Sequence, residues 1–394
     1  MSQAVIAGIG ETRIGTVPEL SDIGMCVHAA AAAVEDAGLS MREIDGLLVQ
    51  PPFHAVPRYH ILVAESLGIY AKTLCDSTMM GGASYGVALH LAKWAVESGL
   101  CKNVLITAGE KLRTAHLSGS AMMASVGAHN LDYEYPFAAT IPAYYGMLAQ
   151  RYLHEYNREP DVLAQVAVAT RRHASRNPNA TYRDPITIDD VFDSPMISTP
   201  LHRLDCSLVS DGGAAYVVSR KGTSKDPSRE IGFLGTGQAQ SYYYMGGLVR
   251  GDATHDLVRT VVDIAGNRAF EQAGLRRDEI DVAGIYDSFT ITTIVQLEDL
   301  GFCGRGEAGD WIAAGNMDLG GSMPVNTHGG LLSYAHPGAC SGMLHYIEII
   351  RQLRGEAGAS QVGGAETALV STASAVASNF SVSILTQAAN VEKG

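Results

Sequence analysis

Residues 325–342, VNTHGGLLSYAHPGACSG, gather two histidines, a tyrosine and a cysteine among closely spaced glycines. His328 and His336 carry imidazoles that can exchange a proton near neutral pH. Tyr334 carries a phenol, and Cys340 a thiol that attacks carbonyl carbon only where its surroundings favour the thiolate. Gly329, Gly330 and Gly338 allow positive φ or a close approach of backbone to a ligand. A plain turn between buried elements explains the glycines but not the four titratable groups beside them. A helical pattern follows at residues 343–354, so its free N–H groups and positive dipole end open onto this loop. That combination suits acid–base chemistry next to a developing oxyanion or enolate.

The elements that must hold this loop are repeated. Residues 33–45 read AVEDAGLSMREID and residues 269–281 read AFEQAGLRRDEID, with Ala37-Gly38-Leu39 recurring 236 positions later as Ala273-Gly274-Leu275. Glu43-Ile44-Asp45 recurs at the same spacing as Glu279-Ile280-Asp281. Each copy reads as an amphipathic helix stopped by a glycine, a polar bridge and an apolar strand. A second echo pairs a helix from Gly86 to Ser98 and the strand NVLITAG from Asn103 with a helix from Gly342 to Arg354 and the strand TALVSTA from Thr367. The expected fold is α/β, from two duplicated halves. Residues 1–110 and 203–222 form the first half and 223–394 the second. Between them, residues 111–202 break the alternation with a Ser/Gly/Met-rich stretch at 119–127, helices at 142–156 and 162–175 and a Pro/Asp-rich connector, and read as a cap. If the halves pair about a pseudo-twofold axis, the loop at Gly81–Gly86 comes to face the loop at Ser333–Gly342.

Composition narrows the class of function. The chain has 394 residues, 46% apolar and 18% charged, with a formal net charge of −13. Nucleic acid is disfavoured as a partner, since its binding needs clustered Lys and Arg. No apolar run approaches a membrane span, and the VIAGIG opening lacks a basic n-region. The six cysteines show no CxxC pair or framework spacing, which fits a reduced cytoplasm, and the histidines lack a metal-ligand spacing.

Taken together, the opening VIAGIGETRIG, the run SDGGAAYVV, Tyr286-Asp287-Ser288-Phe289 and GGLLSYAHPGACSG resemble the thiolase superfamily, and most of all its lipid-transfer-protein branch. The resemblance spans almost the whole chain. It implies the five-layer α-β-α-β-α thiolase fold, a coenzyme A thioester as substrate with no bound cofactor or metal, and a homodimer. It also implies a small zinc-ribbon/OB-fold partner of the DUF35 type. His336 falls on the family's GHPxGxxG histidine, and Ser84, His328, Gly329 and Gly330 are expected along the thioester.

The departures decide the chemistry. Counting back from Gly86, the position of the thiolase nucleophile is Ala83, and spacing puts the second family cysteine at Gln361, before Val362-Gly363-Gly364. Loss of a covalent nucleophile costs on the order of 10⁶ in rate, about 8 kcal/mol. Cys75 reads as a buried strand residue rather than a substitute, whereas Cys340 lies in the right loop. Cysteine-less members of the superfamily include aldolases that cleave β-hydroxyacyl-CoA with tyrosines. That resemblance points to Tyr286 and Tyr334 as proton carriers and to His336 as donor to the thioester oxygen. A free phenol has pKa about 10, so the site must lower it or move the proton concertedly. Three other readings compete: an acyltransferase or thiolase with a non-standard nucleophile, a serine hydrolase using Ser84 within Gly82-Ala83-Ser84-Tyr85-Gly86, and a non-catalytic acyl-CoA-binding subunit. Weaker signals are Tyr242-Tyr243-Tyr244 as a channel lining and Arg171 and Arg172 as phosphate contacts.

Overall fold

The computed structural model describes residues 3–393 except 53–54, 56, 71–72, 80, 116–139, 243–255 and 375. The stretch at 119–127 and Tyr243 and Tyr244 therefore lie outside the described residues. In chain order the first half contains β1 (Ala4–Glu11), α1 (Asp22–Asp36), β2 (Gly46–Gln50), α2 (Tyr59–Leu67), β3 (Leu74–Ser77), α3 (Ser84–Glu97) and β4 (Asn103–Lys111). The cap follows with α4 (Ile141–Glu155), α5 (Asp161–Ala174), α6 (Ile188–Asp193) and the small hairpin β5 (Met196–Ser198) and β6 (Leu201–His202). Then come β7 (Asp211–Arg220), β8 (Ile231–Gln240), α7 (Val262–Ala273), β9 (Val282–Ile285), α8 (Thr290–Asp299), α9 (Ala308–Ala313), α10 (Ser341–Arg354), β10 (Thr367–Ser374) and β11 (Asn379–Gln387).

The duplication is visible atom by atom. Gly38 and Gly274 both end their helices in the left-handed region, at φ +68° and +66°. Glu43 accepts the Ser40 N–H at 2.8 Å, and Glu279 accepts the Arg276 N–H at 2.8 Å. Ile44 and Ile280 are buried. Asp45 takes the amides of Lys102 and Asn103 at the start of β4, and Asp281 those of Glu366 and Thr367 at the start of β10. Each residue of the repeated Glu-Ile-Asp thus does the same work twice: it caps a turn, fills the core and fixes the neighbouring strand.

The sheet order is β3-β2-β4-β7-β1-β8-β11-β10-β9. Reading outward from the centre, β1-β7-β4-β2 matches β8-β11-β10-β9, with the β2–β4 and β9–β10 pairs parallel and the rest antiparallel. The halves meet edge to edge where Val5 and Ile6 pair with Gly232 and Ile231. Side chains then build the layers. One apolar cluster joins α1 and α2 to the outer face of the first half-sheet, and a second sandwiches α3 and α10 between the half-sheets. A third joins α7, α8 and the cap helices α4 and α5 to the outer face of the second half. The fold is the five-layer arrangement expected from the sequence. Helix α10 is buried almost all round, as the central layer requires. The expected helices at 142–156, 162–175, 86–98 and 342–354 each appear, shifted at their ends by no more than two residues.

Candidate active site

The two helix starts that duplication makes equivalent touch each other. A Cβ on Gly342, in the first turn of α10, would lie 2.9 Å from the Gly82 carbonyl and 2.5 Å from the Tyr85 ring. The Tyr85 hydroxyl donates to the Gly338 carbonyl at 3.0 Å. The positive dipole ends of two helices therefore meet at one corner of the central layer.

Tyr286 enters that corner from the end of β9. Its backbone N–H donates to Ser371 on β10 at 3.0 Å and its carbonyl accepts from Gln296 Nε2 at 2.8 Å, so the strand exit is held from both sides. The phenol runs across Gly82: a Cβ there would meet the Tyr286 hydroxyl at 2.6 Å and the Ala373 carbonyl at 2.2 Å. Glycine is required at 82 by that approach. The phenol thus lies against Gly82, one residue before Ala83 and two before the start of α3. Its hydroxyl lies 3.4 Å from His336 Nε2 and 3.2 Å from Ser341 Oγ. Burial raises the Tyr286 pKa above that of a free phenol, with Ser341 working against the rise.

His336 is half-buried, its pKa lowered to about 4 chiefly by desolvation, so its imidazole is neutral at pH 7. With the neutral ring's proton on Nδ1, Nε2 offers its lone pair toward the Tyr286 hydroxyl. The His336 backbone is fixed by Ser210, whose Oγ accepts the His336 N–H at 3.0 Å.

Two buried carboxylates anchor the loop. Asp287, wholly inaccessible, accepts the N–H groups of Leu331 at 2.8 Å and Leu332 at 3.4 Å, and His345 Nε2 lies 3.3 Å away without hydrogen-bond alignment. Glu110, at the end of β4, accepts the Ala339 N–H at 2.7 Å. Sequence reasoning gave neither a role; the available signal was an acid ending each of two buried strands. Ser341 and Ser210 were missed as well, because a serine beside glycines reads as turn chemistry.

Several expected site residues are placed elsewhere. Tyr334 is buried, and its hydroxyl donates to Glu11 at 3.0 Å, which in turn pairs with Arg351 at 2.8 Å. Burial, then the Glu11 charge, raises the Tyr334 pKa, and its hydroxyl has no hydrogen bond to Tyr286 or His336. Tyr334 packs on His328, itself buried, held well below the usual imidazole range chiefly by desolvation, and without a protein partner for either ring nitrogen among the described residues. Cys340 is fully buried and its thiol donates to the Gly212 carbonyl at 3.3 Å; burial raises its pKa well above the usual thiol value. That is the setting of a structural thiol rather than a thiolate, because burial and the nearby Glu110 and Glu11 outweigh what favours negative charge there. Ser84 is wholly buried as the first residue of α3. Gly329 packs on Ala174 and Gly330 on the Asp287 carboxylate, so both serve the loop's own turn. Arg171 is buried rather than solvated, with Nε donating to Ser333 Oγ at 2.9 Å, and Arg172 pairs with Asp318. Cys75 lies on the outermost strand and is only half-buried. Gln361 bonds Gln352 at the far end of α10; the residues that β10 delivers to the corner are Ala373 and Ser374, against Gly82 and Gly81. The Val362-Gly363-Gly364 turn enters β10, whereas the site lies at its exit, so spacing chose the wrong end of the strand. Neither exit residue is a cysteine.

Residues 249–387 match the thiolase C-terminal domain-like family. The chain is 34% identical to the steroid side-chain-cleaving aldolase of Thermomonospora curvata, over 88% of this chain and 90% of that protein. It is 32% identical to an acetyl-CoA acetyltransferase of Methanothermobacter thermautotrophicus, over 93% of this chain and 94% of the relative. The solved Ltp2-ChsH2(DUF35) aldolase superposes with a TM-score of 0.85 at 33% identity, covering 98% of both chains. The chain belongs to the thiolase superfamily, on its lipid-transfer-protein, aldolase-type side. Among the described residues no helix is long and apolar enough to cross a membrane, and no group of three His, Cys, Asp or Glu could hold a metal ion.

Proposed function

We infer that the protein is a thiolase-fold lyase that cleaves a β-hydroxyacyl-CoA by retro-aldol chemistry. One observation carries this reading. Against Gly82, one residue before the Ala83 that holds the position of a thiolase nucleophile, stands a phenol backed by a neutral imidazole, Tyr286 and His336. Similarity alone does not separate the two chemistries, since the aldolase and the acetyltransferase are almost equally close. The absent thiol does, because acyl transfer through cysteine needs a group that Ala83, Ala373 and Ser374 do not supply.

In the proposed reaction the substrate's β-hydroxyl gives its proton to the Tyr286–His336 pair. The Cα–Cβ bond breaks, the β-carbon leaves as a carbonyl, and the electron pair becomes the thioester enolate. The N–H groups at the paired helix starts favour that enolate. The proton then returns to the α-carbon, so none is consumed. Tyr334, tied to Glu11, is assigned to the wall of the site rather than to proton transfer. His328 and the Gly329-Gly330 turn are proposed to shape the thioester end, with a lipid or steroid-like acyl group as the substrate class, in keeping with the aldolase relative.

The partners are proposed on the same footing. Strand β3 has one neighbour among the described residues, and Ile61, Leu62, Tyr70 and Met79 lie exposed in its vicinity. An open edge beside apolar side chains supports a homodimer. A DUF35 zinc-ribbon/OB-fold partner is supported by its presence in the aldolase structure. The test is incubation with β-hydroxyacyl-CoA esters, with and without such a partner. Release of a shorter acyl-CoA and an equimolar aldehyde or ketone is expected; intact ester under all conditions would refute the activity.

A further inference from the structure

Ser341 touches the phenol that the proposed reaction uses, and its hydroxyl carries one proton. That proton is committed at rest: Oγ donates to the Gly338 carbonyl at 2.9 Å. Toward Tyr286, 3.2 Å away, Oγ therefore offers a lone pair, and the Tyr286 hydroxyl is the donor, to Ser341 or to His336 Nε2. The Gly338 carbonyl has two other donors, the Tyr85 hydroxyl at 3.0 Å and the backbone N–H of Ser341. Ser341 can turn its proton away without leaving that buried carbonyl unpaired.

We propose that Ser341 is a positioning residue that stabilises Tyr286 as a phenolate, by turning its hydroxyl proton from the Gly338 carbonyl to the Tyr286 oxygen while Tyr85 and the Ser341 N–H keep the carbonyl satisfied. The proposal rests on the retro-aldol reading for its catalytic meaning. The proton balance closes within the site. The Tyr286 O–H bond breaks, its proton goes to His336 Nε2, and Ser341 turns toward the phenolate. The phenolate takes the proton of the substrate's β-hydroxyl, the Cα–Cβ bond opens, and the imidazolium proton passes to the enolate carbon. Ser341 then turns back. A fixed acceptor at position 341 would oppose the first step, and an apolar group would leave the phenolate in a dry corner with only the imidazolium beside it.

The test places a fluorotyrosine at position 286, so that the phenol titrates in an accessible range, and follows its ¹⁹F resonance against pH. Ser341→Ala should raise the apparent pKa of that group by about one to two units, the effect of one hydrogen bond to a charged oxygen. Tyr85→Phe should raise it too, by less, because turning Ser341 then leaves the Gly338 carbonyl with the Ser341 N–H as its one remaining donor. In protein with natural tyrosine at 286, Ser341→Ala should lower kcat about ten- to a hundredfold with KM unchanged. Should Ser341→Ala fail to fold, Ser341→Cys and Tyr85→Phe give the same titration. An unchanged fluorophenol pKa in folded variants would overturn the proposal. If the natural protein leaves β-hydroxyacyl-CoA intact, the retro-aldol reading falls, yet the titration still decides whether Ser341 serves the phenolate.

Discussion

The loops that lead into α3 and α10 began as copies and now differ in almost everything but position. Before α3 stand Gly82, Ala83 and Ser84, a turn whose remaining requirement is space for Tyr286. Before α10 stand His336, Gly338, Cys340 and Ser341, held by Glu110 and Asp287. The scaffold around both has stayed symmetric, down to the Glu-Ile-Asp that caps each half. Framework residues are tied to packing and strand pairing, so both copies are kept. A loop outside the strand ladders is free of those ties, and in this chain the chemistry sits on one side. The phenol that fills the corner comes from the second half as well.

If that asymmetry is real, substitutions should rank accordingly. Tyr286→Phe and His336→Ala should have the largest effect, lowering kcat about 10²–10⁴-fold with thioester binding retained, as general acid–base groups do. Steady-state kinetics on a β-hydroxyacyl-CoA measures it. Asp287→Asn comes next: it weakens the acceptor for Leu331 and Leu332 in a dry setting and should destabilise the protein by about 1–3 kcal/mol, read as a lower Tm. Tyr334→Phe should change kcat less than tenfold, since Glu11 keeps Arg351, and Ser84→Ala by no more than a few-fold; equal losses at Tyr334 and Tyr286 would erase the distinction drawn between them.

The pH dependence has a definite sign. His90, His173 and His336 are each lowered to about 4 by burial, against about 6.5 when unfolded. Between those values the unfolded chain binds more protons, so this stability is full above about pH 6.5 and is lost as pH falls toward 4. Thermal melts across that window should show Tm falling on the acid side. A Tm that held constant from pH 7 to 4 would contradict neutral burial of these imidazoles.

The duplication, the helices at 142–156 and 162–175 and the loop carrying His336 were all readable from the sequence, because glycine stops, apolar periodicity and repeated triplets are local signals. The α/β class followed from them, and the family from the resemblance of SDGGAAYVV, Tyr286-Asp287-Ser288-Phe289 and GGLLSYAHPGACSG. What the chain order hides is which side chains meet. Tyr334 and His336 are two residues apart, yet one hydroxyl turns to Glu11 and the other ring to Tyr286, because a π-helical turn at Gly330–Tyr334 is followed by extended backbone at Ala335. Cys340 looked available beside a helix start, but its burial depends on Gly212, far away in sequence. Asp287 and Glu110 each reach a loop from a distant strand, which no spacing within the loop reports.

The most direct test of a site that has exchanged covalent for acid–base chemistry is intact-mass spectrometry of the enzyme quenched during turnover of an acyl-labelled β-hydroxyacyl-CoA. The account predicts protein at its unmodified mass throughout, while labelled shorter acyl-CoA accumulates together with the carbonyl fragment. A stoichiometric acyl adduct on Cys340, Ser84 or any other side chain would contradict it and restore a covalent thiolase or hydrolase mechanism.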